Sequence, residues 1–253
     1  LLNTDSETDG ELYMSCAGGL DIEATFRYQE KETAQLADCV AFKVTLGGLL
    51  GGHSGIDINL GRLNANKAMF RFLKIAVGCH SARLASYTGG TLRNAIPREA
   101  EAVIAVPADK VAEAEAVGAK VCAEVKVEYA ATDKDANVYL EDAEVAGEAI
   151  CQDVAVALCR ALYVCPNGVE RMSNAMPGLV ETSNNMAIVK SENGTISVHS
   201  LMRSSVDTAK DDLAEKMRAV FELAGAEVSF RGGYSSWAPN MASPILKEMK
   251  SVY

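Results

Sequence analysis

Hydrophobic and polar residues follow two periodicities along this chain, one typical of strands and one typical of helices. In the segment 39–46, Phe42 and Val44 fall on one face of an alternating pattern, which predicts a half-buried strand. From 63 to 77 the apolar residues recur at spacings of 4, 3 and 4, which predicts a helix with one buried face. The same spacing recurs after Asp207, which we expect to be the N-cap of another helix. The chain therefore mixes strands with amphipathic helices.

The remaining elements follow from the same patterns and from the turn residues between them. Strands are expected at 83–88, 98–106, 179–190, 195–203 and 226–231, and helices at 109–128 and 143–163. Asn193 and Gly194 separate two alternating segments, which is the sequence signal of a tight β-hairpin. The polar segment 130–142 lies between the two halves of the chain and is interpreted as a linker.

The two halves of the chain are weakly similar in sequence but similar in the order of their elements. The string 90–96 precedes a strand and a helix, and the string 181–188 precedes a hairpin and a helix. Each half predicts antiparallel strands with helices packed on one face, so the expected fold class is α+β with two related lobes. A single irregular domain is the alternative that the pattern leaves open.

Composition narrows the class of protein. Apolar residues make up 49% of the chain and charged residues 23%, a balance typical of soluble globular proteins. No apolar run reaches the length of about 18 residues that a membrane span needs, so we expect no membrane partner. The net charge of −10 argues against nucleic acid as a partner, because phosphate binding needs a basic surface.

The cysteines indicate the cellular compartment of the protein, and the first residues indicate whether the chain is part of a longer one. The seven cysteines are odd in number and form no C-x-x-C pair, and most lie in apolar runs. We interpret them as buried free thiols in a reducing compartment, which points to the cytoplasm. The chain opens on Leu1 and Leu2 before a polar cluster, with no initiator Met and no signal peptide. We expect that it was cut from a longer protein.

Two polar residues lie in glycine-rich turns. His53 is flanked by Gly51, Gly52 and Gly55, and glycines let a ligand approach the backbone closely. A histidine on such a turn could donate a hydrogen bond to a developing oxyanion, or it could be an incidental surface residue. Asn94 follows a Gly-Gly pair, where a side-chain amide more often caps backbone than binds substrate.

Two charged residues lie at predicted strand ends. Arg203 projects from the end of a strand, where it could hold a carboxylate through two parallel hydrogen bonds or form a surface ion pair. Asp5 follows the opening strand and could bind a cation, although alone it is better explained as part of a solvated loop. No spacing such as H-x-H or H-E-x-x-H is present to complete a metal site.

Six strings together resemble one family of peptidases, and they keep its order over essentially the whole chain. They are Leu2-Asn3-Thr4-Asp5-Ser6-Glu7, Cys16-Ala17-Gly18-Gly19, Gly51-Gly52-His53-Ser54-Gly55, Gly61-Arg62-Leu63-Asn64-Ala65-Asn66-Lys67, Gly89-Gly90-Thr91-Leu92-Arg93-Asn94-Ala95-Ile96-Pro97-Arg98-Glu99 and Val180-Glu181-Thr182-Ser183. The chain resembles aminoacyl-histidine dipeptidase, a bacterial carnosinase of the carnosinase and carboxypeptidase-G type of zinc peptidases. The fifth string is very specific, whereas the third is shared more broadly among relatives.

The resemblance implies an α/β catalytic domain that holds two zinc ions, with a lid inserted into it. On this reading, 1–21 and 232–253 are stubs of the catalytic domain, 22–130 is the first lid lobe, and 131–231 is a linker helix with the second lobe. Most of the metal ligands would lie outside the chain, so we expect the fragment alone to be inactive.

The resemblance also implies roles for individual residues. Asp5 matches a metal ligand, His53 the lid histidine that reaches the scissile carbonyl, Asn94 a lid residue at the substrate, and Arg203 the arginine that holds the terminal carboxylate of the substrate. The substrate would be a small Xaa-His dipeptide such as carnosine. A homodimer through the lid stays open, and a non-catalytic peptide-binding or dimerisation module is the alternative function.

Overall fold

The computed structural model describes residues 13, 15–28, 31–32, 36, 38–144, 148–237 and 240–252. Its strands are β1 (Gly18–Arg27), β2 (Lys31–Glu32), β3 (Cys39–Gly47), β4 (Gly52–His53), β5 (Arg83–Gly89), β6 (Ala95–Ile96), β7 (Ala100–Pro107), β8 (Asn137–Asp142), β9 (Ala149–Ile150), β10 (Gly168–Met172), β11 (Val180–Glu192), β12 (Thr195–Ser204) and β13 (Glu227–Tyr234). Its α-helices are α1 (Ala65–Cys79), α2 (Val111–Glu128), α3 (Gln152–Val164), α4 (Asp207–Leu223) and α5 (Pro244–Val252).

One antiparallel sheet organises the described part of the chain. Its strand order is β13-β1-β12-β11-β5-β7-β3-β8, with β10 paired to β11. Helices α1 to α4 pack against this sheet and against one another, and they share one hydrophobic core with it. The predicted α+β class, with antiparallel strands and helices on one face, is therefore confirmed. We call the sheet face opposite the helices the far face.

The sheet consists of two units with the same topology. The first unit, 39–142, runs β3-α1-β5-β7-α2-β8, and its strands lie in the order β8-β3-β7-β5. The second unit, 18–27 with 152–234, runs β1-α3-β11-β12-α4-β13, and its strands lie in the order β13-β1-β12-β11. Both are βαββαβ units in which the last strand pairs with the first. The first unit is thus inserted between the first strand and the first helix of the second.

This insertion changes the membership of two segments relative to the predicted lobes, 22–130 and 131–231. Strand β1 precedes the first unit in sequence but pairs with β12 and β13 of the second. The segment 130–142, interpreted as a linker, contains β8, which pairs with β3. A polar strand is stable there because β8 lies at the edge of the sheet, where charged side chains reach water.

The periodic positions and the hairpin behave as predicted. The four residues that define the 4, 3, 4 spacing in α1 are fully buried: Ala65, Met69, Phe72 and Ala76. Asn193 and Gly194 have φ values of +50° and +76° and join β11 to β12. Positive φ at both central residues matches the right-handed twist of the paired strands, which is why Asn-Gly is favoured there.

Three local predictions are wrong. The helix expected at 143–163 begins only at Gln152, and residues 149–150 form β9 instead. Asp207 is the first residue of α4 rather than its N-cap, and its carboxylate instead accepts hydrogen bonds from Lys210 and from the backbone of Ser236. The thiols are free, but only Cys159 and Cys165 are fully buried among the described cysteines. Burial raises the pKa of both buried thiols to about 12, so neither is a nucleophile near neutral pH.

Buried polar groups join the two units where β5 meets β11. The Asn64 side chain, at the N-cap of α1, donates to Asn167 Oδ1 and to the Met186 carbonyl oxygen. Lys67 Nζ donates to the carbonyls of Leu162 and Cys165 at the end of α3, where the helix dipole favours a cation. Burial lowers the pKa of Lys67. The motif 61–67 therefore connects the first unit to the second.

Candidate functional site

His53 lies in a turn whose backbone is held in place. Gly51 and Gly52 have φ values of +64° and +142°, conformations that glycine adopts without strain. The His53 backbone N–H donates to Asp57 Oδ2 at 2.8 Å, and Arg62 Nη1 lies 3.5 Å from the same oxygen while donating to the Gly51 carbonyl at 2.7 Å. The turn is glycine-rich, but these contacts restrict its motion.

The hydrogen bonds of the imidazole fix its tautomer. His53 Nδ1 accepts from the backbone N–H groups of Gly55 and Ile56, both at 3.2 Å. An accepting Nδ1 carries no proton, so in the neutral ring the proton is on Nε2. His53 is partly exposed, and its Nε2–H makes no hydrogen bond within the described residues.

A buried carboxylate closes the base of the loop that carries His53. Asp133 is 1% exposed, and its two oxygens accept from the backbone N–H groups of Leu50 at 2.9 Å and Leu63 at 2.8 Å. These are the positions where the chain enters and leaves the loop 50–63. Asp133 therefore fixes the separation of the two ends of the loop.

We expect Asp133→Ala to lower the free energy of unfolding by about 3 kcal/mol, because it leaves two backbone donors without partners in a buried place. The matched control is Asp135→Ala, two residues further on at an exposed position, where the change should stay within about 0.5 kcal/mol. Chemical denaturation of both variants measures the difference. Equal stabilities for the two variants would contradict the proposed role of Asp133.

The turn of His53 pairs with the segment that carries Asn94. Strands β4 and β6 form a two-residue ladder in which His53 lies opposite Ala95, and Ser54 N–H donates to the Asn94 carbonyl at 2.8 Å. The Asn94 side chain is exposed and makes no hydrogen bond within the described residues. Its backbone, rather than its amide, holds this turn together.

Arg203 lies on the far face of the second unit. It is opposite Gly19 in β1, and Gly19 is opposite Tyr234 in β13. Because Gly19 has no side chain, the Tyr234 ring crosses it, and Arg203 Nη1 donates to Tyr234 Oη at 3.4 Å. Arg203 Nε is buried and has no partner among the described residues. The contacts within the described residues therefore do not satisfy every donor of this guanidinium.

His53 and Arg203, which come from different units, meet at Gly55. A Cβ placed on Gly55 would lie 3.3 Å from His53 Nδ1 and 3.5 Å from Arg203 Nε. Asn94 belongs to the strip 94–96, which pairs with the turn of His53. Three of the four predicted residues therefore lie in this region. Asp5 lies outside the described residues. Within the described ranges, no group of three or more His, Cys, Asp or Glu side chains is placed to hold a metal ion.

Several residues that build this site were not predicted from the sequence. Asp57 orients the His53 turn, Asp133 closes its loop, Tyr234 contacts Arg203, and Asn185 holds the strip 94–96 through its hydrogen bond to Ala95. Asn185 belongs to a run of consecutive polar residues inside a strand, which is a detectable anomaly because a sheet that packs on helices usually alternates. Asp133 gave no such signal in its polar segment.

The first unit is similar to a known domain of peptidases. Residues 44–133, which lie within the first unit, match the family model described as the peptidase dimerisation domain. Within the described residues, no helix combines the length and the apolar character that crossing a bilayer requires.

Two individual proteins are similar to the chain over nearly its whole length. The chain is 39% identical to the cytosol non-specific dipeptidase of Escherichia coli (strain K12) over all of its own residues and 52% of that protein. It also matches the crystal structure of aminoacylhistidine dipeptidase from Vibrio alginolyticus with a TM-score of 0.94 and 37% identity, covering 99% of this chain and 51% of that one. The resemblance to aminoacyl-histidine dipeptidase is thus confirmed: residues 44–133 match a peptidase dimerisation domain, and the chain is similar to two dipeptidases, of whose length it spans about half.

Proposed function

We propose that this chain is the lid and substrate-binding part of a dipeptidase that hydrolyses Xaa-His dipeptides such as carnosine. The observation that carries the proposal is the meeting of His53 and Arg203 at Gly55. A dipeptide has a peptide carbonyl a few bonds away from its terminal carboxylate. A hydrogen-bond donor and a guanidinium side by side suit those two groups of one small molecule.

His53 would act on the scissile carbonyl. When water adds to that carbonyl, its oxygen becomes an anion, and the Nε2–H of His53 can donate to it. The Nδ1 contacts to Gly55 and Ile56 keep the ring in the tautomer that this donation needs. Since the negative charge exists only after water adds, the interaction stabilises the transition state more than the bound substrate.

The resemblance implies two zinc ions for the whole enzyme, and the relatives that match are dipeptidases. Within the described residues no group of side chains fits a metal ion, so the zinc ligands would come from residues outside them. Asp5 remains the proposed ligand from this chain, and the fragment alone is proposed to be inactive. The free thiols and the cytosolic relative support a cytoplasmic location.

A second candidate function is self-association. The family model that matches 44–133 describes a dimerisation domain, which supports a homodimer through the lid. Within the described sheet, β8 and β13 are the terminal strands, and β8 carries the half-exposed Tyr139. Light scattering on the full-length protein tests this role: a monomeric mass at micromolar concentration would exclude it.

The variant Arg203→Ala tests whether this arginine binds the terminal carboxylate of the substrate. Because Arg203 would bind a carboxylate that is charged before the reaction begins, we expect Arg203→Ala to raise KM for β-alanyl-histidine roughly 30-fold in the full-length protein, the loss of one charge-assisted contact. On the C-terminal amide of the same dipeptide, the variant and the unmodified protein should have similar KM values.

The control for Arg203 is Arg231→Ala. Arg231 lies on β13, two strands away from β12 in the sheet, is exposed, and pairs with Glu23 at 3.2 Å, so its loss should leave KM within about twofold. Steady-state kinetics on both substrates distinguish the outcomes. An Arg203→Ala variant with an unchanged KM on the free acid would remove Arg203 from the substrate site.

A further inference from the structure

Asn185 is a buried residue of the second unit whose side-chain amide is bonded to the strip 94–96 beside His53. Its side chain is 1% exposed and lies on the far face of β11, opposite Leu201. Its Nδ2 donates to the Ala95 carbonyl at 2.7 Å, and its Oδ1 accepts from Asn64 Nδ2 at 3.3 Å. One side chain of the second unit therefore holds two segments of the first.

The hydrogen bond from Asn185 holds Ala95, which is the strand partner of His53. Ala95 lies opposite His53 in the β4–β6 ladder, so a displacement of the Ala95 backbone moves the His53 backbone with it. Arg203 is held by the same strand as Asn185, because its partner in β11 is Ser183, two residues before Asn185. Asn185 and Arg203 thus belong to one rigid hairpin, and His53 is attached to that hairpin through Ala95.

We propose that Asn185 is a positioning residue for the hydrolysis, which sets the location of His53 relative to Arg203 through the Ala95 carbonyl. This inference rests on the proposed function. The amide is suited to the role because it is buried and bonded at both ends, whereas the Arg93–Asp21 ion pair, which lies next to the strip, is exposed on its arginine side. Exposed ion pairs fix geometry weakly.

The neighbouring residue supplies a matched control. Asn184 is also 1% exposed, and its Nδ2 also donates to a backbone carbonyl, that of Pro166, at 2.7 Å. It lies opposite Met202 of the core, so it faces the helices and not the strip. Asn184→Ala and Asn185→Ala therefore each remove an equally buried amide together with its hydrogen bond to a backbone carbonyl, and only the second affects Ala95.

The test uses the full-length protein with β-alanyl-histidine. We expect Asn185→Ala to lower kcat on the order of tenfold, because a small misplacement of a reacting group is costly, while KM, which depends on Arg203, changes less than about twofold. Asn184→Ala should lower the melting temperature comparably but leave kcat within about twofold. If Asn185→Ala does not fold, Asn185→Leu keeps the volume of the side chain but cannot donate to Ala95, and Asn184→Leu is its control.

The His53→Ala background separates this inference from the proposed function. If Asn185 acts through His53, adding Asn185→Ala to His53→Ala should lower kcat by less than about twofold further. A full additional tenfold loss, or equal kcat values for the Asn184 and Asn185 variants, would overturn the positioning role. A His53→Ala variant with normal kcat would instead overturn the proposed function, whatever the Asn185 variants do.

Discussion

His53→Ala in the full-length protein is expected to lower kcat roughly 10²–10³-fold, the effect of losing one oxyanion donor. The imidazole is already oriented by its two Nδ1 contacts, so little reorganisation accompanies the reaction. Because the donor meets charge that develops as water adds, the loss should be the same on a free and on an amidated dipeptide. Steady-state kinetics on β-alanyl-histidine and its amide measure both.

Two observations decide whether the assignment of His53 holds. His80→Ala is the control, since His80 is the C-cap residue of α1, and its loss should leave kcat within about twofold. The content of bound metal should be equal in both variants. A His53 variant that loses metal would show that His53 is a ligand instead of an oxyanion donor, and a variant with normal kcat would contradict any part in the reaction.

Gly90→Ala is expected to lower the free energy of unfolding by more than about 4 kcal/mol, or to prevent folding altogether. Gly90 has φ of +73°, and a Cβ there would lie 1.8 Å from the carbonyl oxygen of Ala187. Ala187 belongs to the irregular register of β11 between Met186 and Ile188, so the contact joins the two units. Neither backbone can withdraw without opening the β5–β11 junction.

The matched control for Gly90 is Gly61→Ala. Gly61 has a similar φ of +67°, but a Cβ there would meet nothing within 4 Å. Its cost should be the conformational strain alone, about 1 kcal/mol. Denaturant titrations of the two variants separate strain from close approach. Similar losses for both would mean that the junction tolerates movement and that the two units are not rigidly joined.

Local patterns predict the elements of this fold well and their partners poorly. The spacing in α1 and the Asn193-Gly194 turn depend on neighbours in sequence, so the sequence alone is sufficient to locate them. Strand β1 was not among the predicted strands, and its partners, β12 and β13, come from residues far along the chain, so no pattern within 18–27 identifies them. Likewise β8 has the polar composition of a linker, because an edge strand is partly solvated.

The candidate site was predictable to a similar degree. Glycines around His53 and a strand end at Arg203 suggested reactive or binding residues, and the resemblance supplied their roles. Their meeting could not be predicted, since His53 and Arg203 lie in different units and approach each other only through packing at the junction. Asn185 and Asp133 act through backbone groups, and no spacing in the sequence shows which backbone group a buried side chain will contact.

Inserting one unit into another imposes an order on folding. All strand pairs inside the first unit join residues between 39 and 142, so it can be completed as soon as that stretch has been synthesised. Strand β1 is made earlier, yet its partners begin only at residues 195 and 227. Long-range pairing of this kind is slow, because the loop must close first. Until then, Ile22, Ala24 and Phe26 have no partner strand, so the start of the second unit is the segment most exposed to aggregation during biosynthesis and refolding.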